Sequence, residues 1–431
     1  MKVINQKKDD ILFSLNKLID LRLEATSKKI DSVVKKIINE VKSRGDDALI
    51  DFAKKYDNIS ISKSQILIPD NVRKRYKKQI DPKVLKSFEI AIENITSFHE
   101  KQLPKNYKIN KDNLITGSLW NPIEAVGLYV PGGKASYPSS LLMNVIPAQV
   151  SGVKRIAVST PSNNGNFDPY IMALLDILGI KEVYQIGGAQ AIAALAYGTQ
   201  RIKPVNKVFG PGNAYVVSAK KQVFGRVGID LIAGPSEIVV VADQHNNPDW
   251  VASDLIAQAE HDEKSQCILI TDNERFALRV RNKLISLSSQ LKKKEIIMKS
   301  LNNYGAILIL DNLENAAEII DIIAPEHLHL QNKTAKKIFN KVKNVGCIFL
   351  GAYSSEVFGD YIVGTNHILP TSGTAKFSSG LGVLDFMKRT SYVSLNQKSF
   401  ENLSNNVTDM ASIENLDGHK LSVTIRQTNK K

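Results

Sequence analysis

Residues 125–188, AVGLYVPGGKASYPSSLLMNVIPAQVSGVKRIAVSTPSNNGNFDPYIMALLDILGIKEVYQIGG, decide the fold. Three short apolar runs, AVGLYV (125–130), RIAVST (155–160) and EVYQIG (182–187), are separated by stretches of helix length that begin near Ser139 and Phe167. Strands joined through helices lie parallel, because a chain that crosses back over a helix re-enters the sheet in the same direction. KVFG (207–210) extends the series, with helices expected from near Ala189 and Asn213. The alternation then restarts with IVVVAD (238–243), QCILIT (266–271), GAILIL (305–310), HLHLQ (327–331) and GCIFLG (346–351).

Two successive series predict an α/β chain with two Rossmann-like parallel-sheet lobes and a cleft between them. One lobe is expected over 124–236 and a larger one over 25–123 together with 237–386. A small helical extension takes 1–24, and a mixed C-terminal tail takes 387–431. Helical stretches at 28–56 and 82–101 are expected to cover the larger lobe. The tail is too polar to bury a core of its own, so it is expected to dock on another lobe or another chain.

Of the 431 residues, 43% are hydrophobic and 23% charged, which excludes disordered and fibrous classes. No apolar run approaches the ~20 residues of a membrane helix, and the start MKVINQKKDDILF lacks a signal-peptide core. A cytoplasmic location is therefore expected. Cys267 and Cys347 sit in apolar runs and are too few for a disulfide framework or a cysteine zinc knuckle. The net charge is +14, yet only twelve of the 57 cations are arginine, and lysine doublets on helical stretches read as solvated faces. Nucleic-acid readers lean on arginine forks and aromatic platforms, so neither a nucleic-acid nor a membrane partner is expected. The dense cluster RKRYKK (73–78) reads as a solvated segment.

Three loops follow strands: Tyr129 to Gly133, Gly187 to Gln190, and Gly210 to Asn213. None matches GxGxxG, but three glycine loops on one sheet edge favour a nucleotide or phosphate ligand, because backbone N–H groups at helix N-termini attract anions. In NNPDWVASDLIAQAEH (246–261), Asn247 caps a helix, and Gln258 and His261 lie about 60° apart on its surface, which lets both donate to one metal. In APEHLH (324–329), His327 and His329 share a strand face, and Glu326 beside His327 suits an acid/base pair. Asp360, His367, Glu414 and His419 lie in loops or near the end, whereas His99 and His245 read as surface residues.

The strings GLYVPGG, IGGAQAIAAL, FGPGNAYV, DLIAGPSE, QAEH, APEHL, GDY, NHILPTSGTA, SSGLGV and ENLDGHK, in this order, resemble the histidinol dehydrogenase family. The resemblance implies a homodimeric enzyme that uses zinc and NAD to oxidise L-histidinol through L-histidinaldehyde to L-histidine. It implies Gln258, His261, Asp360 and His419 as zinc ligands, one zinc per subunit, with these four also touching substrate. Ser236, His327 and Glu414 would complete the substrate contacts, with Glu326 and His327 as proton acceptors. Tyr129, Gln190 and Asn213, on the three glycine loops, would hold NAD. It also implies that His419 reaches the site of a neighbouring subunit. No family role attaches to His329 or His367, which read as structural. The rival reading is a zinc hydrolase built on EHLH, with metal-bound water as nucleophile.

Overall fold

The structure, a computed structural model, describes residues 1–7, 10–23, 28–132, 137–162 and 165–428. Gly133, expected at the end of the first glycine loop, lies outside the described residues. The chain divides into two compact units. One comprises Met1–Gln102 with Glu124–Phe386, and the other Leu103–Ile123 with Met387–Lys431.

All nine expected strands are present, in two parallel sheets of the first unit. Across the smaller sheet the order is Glu182–Tyr184, Arg155–Ser159, Ala125–Tyr129, Lys207–Phe209 and Gly228–Ile229. The order reverses beside Ala125–Tyr129, which opens the crevice where doubly wound sheets bind ligands. The larger sheet repeats the scheme as Ala306–Ile309, Gln266–Thr271, Glu237–Val241, His327–Leu330 and Cys347–Leu350. Its central strands are buried along their whole length, and for that reason they read as unbroken apolar runs.

Two edge strands were not expected. In the smaller sheet Gly228–Ile229 pairs with Lys207–Phe209. Lys2–Asn5 joins the larger sheet beside Ala306–Ile309, so the N-terminal extension is not purely helical. Four residues carry too little local pattern to announce a strand, and the strand exists only through its distant partner.

The helices Lys28–Arg44 and Asp46–Tyr56 cover the smaller lobe, not the larger one, whereas Ile11–Leu23 packs on the larger lobe through Ile11, Leu15 and Leu18. Val34, Ile37, Ile38 and Val41 share one core with Ile192, Ala193, Leu195, Val216 and Ala219. The cause is the helix Gly188–Tyr197, in which eight consecutive residues, Ala189 to Ala196, are buried. A helix that is apolar all round needs a second layer over its outer face. By contrast, the helix Glu274–Ser288 of the larger lobe has an exposed polar face and needs no cover.

The second unit is an antiparallel sheet of Tyr107–Lys111, Leu114–Pro122 and Met387–Leu395, followed by the helices Gln397–Ile413 and Asp417–Thr428. Asp112 and Asn113, with φ of 51° and 64°, form the two-residue turn joining its first two strands. Such turns need positive φ at both positions, which Asp and Asn tolerate. Residues 103–123 therefore pair with the tail, and not with the larger lobe as the sequence reading divided them.

The basic cluster is also not uniformly solvated. Arg73 is 2% exposed, donates to the Ile68 carbonyl at 2.9 Å and pairs with Asp70. It pins the helix Asp70–Lys77 to the segment before it. Replacing Arg73 with Ala should lower unfolding stability by about 1–3 kcal/mol, the usual cost of orphaning a buried polar partner, whereas Lys74→Ala should stay within about 0.5 kcal/mol. Denaturant midpoints of the two variants test this, and equal midpoints would return Arg73 to the surface.

Candidate active site

The carboxyl edge of the smaller sheet gathers the three glycine loops. The Tyr129 hydroxyl accepts a hydrogen bond from Gly188 N at 3.1 Å, and burial pushes its pKa up to about 12. Gly210 has φ of 115°, and a Cβ there would meet the Tyr129 carbonyl oxygen at 2.1 Å, so only glycine fits. A buried ion pair that the sequence reading missed locks this loop from behind. Lys220 pairs with Asp230, the Lys220 Nζ donates to Gly210 O at 3.0 Å, and Asp230 accepts from Gly210 N at 2.7 Å. Gln190, in the first turn of Gly188–Tyr197, is 1% exposed and its Nε2 has no partner. Asn213 caps the next helix, its Oδ1 accepting from Tyr215 N and Val216 N. Two helix N-termini thus open at one sheet edge, an arrangement suited to a phosphate-bearing ligand.

In the larger lobe the candidate residues lie at the opposite, amino edge of the sheet. Ser236, Glu326 and His327 all stand where strands begin, and the helix Pro248–Ala259 returns Gln258 and His261 to the same end. A few bonds join the two edges: Ser140 Oγ lies 3.2 Å from His367 Nε2, and Asn366 Nδ2 donates to Met143 O at 2.8 Å.

Glu237 organises this edge. Its backbone N donates to Glu326 Oε2 at 2.9 Å, and its own Oε2 accepts from Glu326 N at 3.2 Å. Its Oε1 accepts from Ser372 N at 2.9 Å, and its carbonyl faces His327 Nδ1 at 3.0 Å. A carbonyl only accepts, so Nδ1 carries the proton and Nε2 presents a lone pair, 3.9 Å from Asp360 Oδ1. Glu326 Oε2 lies 3.7 Å from His327 Nδ1, so the pair read from the sequence is brought together. Ala324, held in the left-handed region at φ 50°, turns the chain into this strand.

His329 is not a second metal-type histidine. It is fully buried, with Nδ1 2.9 Å from Asp254 Oδ2 and Nε2 2.9 Å from the Gly351 carbonyl. Asp254 also accepts from Ser355 Oγ at 2.8 Å and Gln331 Nε2 at 2.7 Å. This network ties together the strand bearing His327, the helix bearing Gln258 and the start of the helix Glu356–Tyr361, which bears Asp360. With both His329 nitrogens engaged, the EHLH chelate of a hydrolase does not form. His99, expected on the surface, is fully buried, with Nδ1 2.7 Å from Ile95 O. Its helix face packs inward, a fact invisible in a polar neighbourhood.

Gln258 is 2% exposed, yet its Oε1 has no hydrogen-bond partner, an unmet acceptor that a cation would satisfy. His261 follows the helix end, with its N donating to Gln258 O at 3.3 Å, and lies exposed. Gln258, His261 and Asp360 make an amide, imidazole and carboxylate set compatible with zinc. Among the described residues no three of His, Cys, Asp and Glu gather, because one member of this set is an amide. Glu414 and His419 belong to the second unit and are both exposed.

Burial depresses the pKa of His327, and His261 and His367 depress it further, while Asp360 and the bond to Glu237 raise it. The neutral ring is therefore favoured in the folded protein. In metal-free protein, the NMR titration of His327 should have its midpoint below 6.5, and Asp360→Asn should lower it further by removing the largest opposing influence. A midpoint above 6.5 would contradict this environment.

A sequence profile for histidinol dehydrogenase matches residues 21–427. The chain is 46% identical to histidinol dehydrogenase of Rhodospirillum rubrum over 403 residues, 93% of each protein. It is 42% identical to that of Aquifex aeolicus over 430 residues, 99% of this chain and all of the relative. The crystal structure of histidinol dehydrogenase from Elizabethkingia anophelis superposes with a TM-score of 0.94 at 33% identity, covering 99% of this chain and 98% of the other. The fold thus agrees with that of a histidinol dehydrogenase, and the chain belongs to the histidinol dehydrogenase family.

Proposed function

We propose that this protein oxidises L-histidinol to L-histidine through L-histidinaldehyde, in histidine biosynthesis, with zinc bound and two NAD used in succession. The observation that carries the reading is the Glu326–His327 pair held by Glu237. Two oxidations at one carbon need two proton acceptors, one for the alcohol and one for the water that hydrates the aldehyde. His327, neutral and with its Nε2 lone pair exposed to the site, takes the alcohol proton. Glu326 takes the proton of the attacking water.

When bound, zinc fixes the substrate's imidazole and amine, and NAD accepts a hydride in each oxidation. Gln258, His261 and Asp360, with His419, would hold the metal; the unpartnered Gln258 oxygen supports this assignment. Ser236 and Glu414 would add substrate contacts. Tyr129, Gln190 and Asn213 would hold NAD at the glycine loops, where the unpartnered Gln190 amide supports the assignment. Among the described residues no helix is long and apolar enough to cross a membrane, which is compatible with a biosynthetic enzyme of the cytoplasm.

The supplier of His419 would be a second copy of the chain. The helix Gln397–Ile413 leaves Leu403, Val407, Met410 and Ile413 exposed at helical spacing, an apolar stripe of the kind that pairs with another surface.

Incubated with L-histidinol, zinc and excess NAD, the protein should form two NADH per histidinol consumed. One NADH with aldehyde accumulating, or none, would overturn the proposal. The exchange of His419 has its own test. Glu326→Gln and His419→Asn, each inactive alone, should regain about a quarter of wild-type activity after joint unfolding and reassembly, because half the dimers are hybrids with one intact site. Hybrids that form without activity would show that His419 serves its own chain.

A further inference from the structure

Asp57 ends the helix Asp46–Tyr56, and three features of its setting oppose a carboxylate. It stands at a helix C-terminus, where the backbone carbonyls already carry partial negative charge. It is removed from water far enough that burial pushes its pKa up to about 6. Its Oδ2 is buried without a hydrogen-bond partner, and among the described residues no ion pair includes Asp57. A carboxylate placed at such a cost, with no structural compensation, marks a functional position.

The neighbours of Asp57 say which function. Its Oδ1 lies 3.4 Å from where a Cβ on Gly187 would stand, so the carboxylate lies against this turn. Its charge also contributes to the raised pKa of Tyr129, whose hydroxyl binds Gly188 N. The same turn holds the buried, unpartnered Gln190 amide, whose atoms lie 2.8–3.2 Å from the Cβ position of Gly188. An unmet acceptor and an unmet donor thus line one Gly187–Gly188 turn, which follows the edge strand Glu182–Tyr184 and is bonded to Tyr129 of the central strand. The acceptor reaches this turn from the N-terminal helices, outside the βα series where a dinucleotide site is normally sought.

We propose that Asp57 is a cofactor-selecting residue that accepts hydrogen bonds from a ribose diol of the bound dinucleotide and excludes a 2′-phosphate. The inference deepens the NAD assignment above and rests on it. A carboxylate accepts both hydroxyls of a diol but repels phosphate, so its partner on the dinucleotide is sugar and not the pyrophosphate. In Rossmann folds an acidic residue does the same work from the end of the second strand. Here that strand ends in Ser159, Thr160 and Pro161, none of them acidic.

The test measures equilibrium binding of NAD and of NADP to the zinc-loaded protein by calorimetry, in wild type, Asp57→Asn and Asp57→Ser, with thermal midpoints confirming that each variant is folded. Wild type should prefer NAD. In both variants NAD should bind about tenfold more weakly, as expected for loss of a charge-assisted hydrogen bond, while NADP binds as well as before or better, so that the preference narrows at least tenfold. Equal weakening of both dinucleotides would place Asp57 against a group they share and overturn the proposal. So would unchanged affinities. A wild type that binds neither dinucleotide would instead refute the NAD assignment itself.

Discussion

The geometry of this candidate site depends on one buried carboxylate that is neither of the two proposed bases. Glu237, at the first position of a central strand, clasps Glu326 through a reciprocal pair of backbone-to-carboxylate bonds and faces His327 with its carbonyl. Two effects follow from the one residue. The carboxyl of Glu326 is fixed at the sheet edge, and the tautomer of His327 is fixed so that Nε2 presents its lone pair. Each carboxylate of the Glu237–Glu326 pair is met by a backbone N–H group, which offsets part of the cost of burying two acidic side chains side by side.

The second constraint is geometric. The candidate residues of the smaller lobe stand at the carboxyl edge of its sheet, where open α/β sheets bind ligands, whereas those of the larger lobe stand at the amino edge. Strand starts normally carry only connections. Here the edge becomes a site because the helix Pro248–Ala259 ends beside it and the buried His329–Asp254 pair fixes that helix to the strand of His327. Ser355, bonded to the same Asp254, brings in the short helix of Asp360. A histidine read as structural thus sets the distances between the proposed metal ligands and the proposed base.

Most of the sheet architecture was legible because buried parallel strands leave unbroken apolar runs, and all nine appeared where those runs lie. Legibility failed where structure depends on remote partners. Lys2–Asn5 is a strand only beside Ala306–Ile309. Nothing local told Arg73 or His99 from the exposed polar residues around them, because burial on a mixed helix face depends on what packs against it. The helices of 28–56 cover the smaller lobe and not the larger one that their pattern suggested, since amphipathic periodicity shows that a face is covered but not by what. The decisive clue was the apolar surplus of Gly188–Tyr197, which demands a second layer. In the candidate site no role was read for Asp57, Lys220 or Asp254, nor for Asp230 and Glu237, although these last two bound the motif DLIAGPSE (230–237). Single acidic residues carry no periodic signal, and their roles come from hydrogen bonds that form only in the folded chain.

The clasp is the claim on which the rest turns, and Glu237→Gln isolates it. The amide keeps the volume of the carboxyl but aims N–H at one of the two backbone N–H groups that Glu237 now satisfies. The measurement is the rate of each half-reaction, from histidinol and from supplied histidinaldehyde, in variant protein shown to be folded and to retain its zinc. Because Glu237 holds both proposed bases, and misplacement by about 1 Å costs on the order of 100-fold, both rates should fall by about that factor. Rates within about twofold of wild type in either half-reaction would contradict the account.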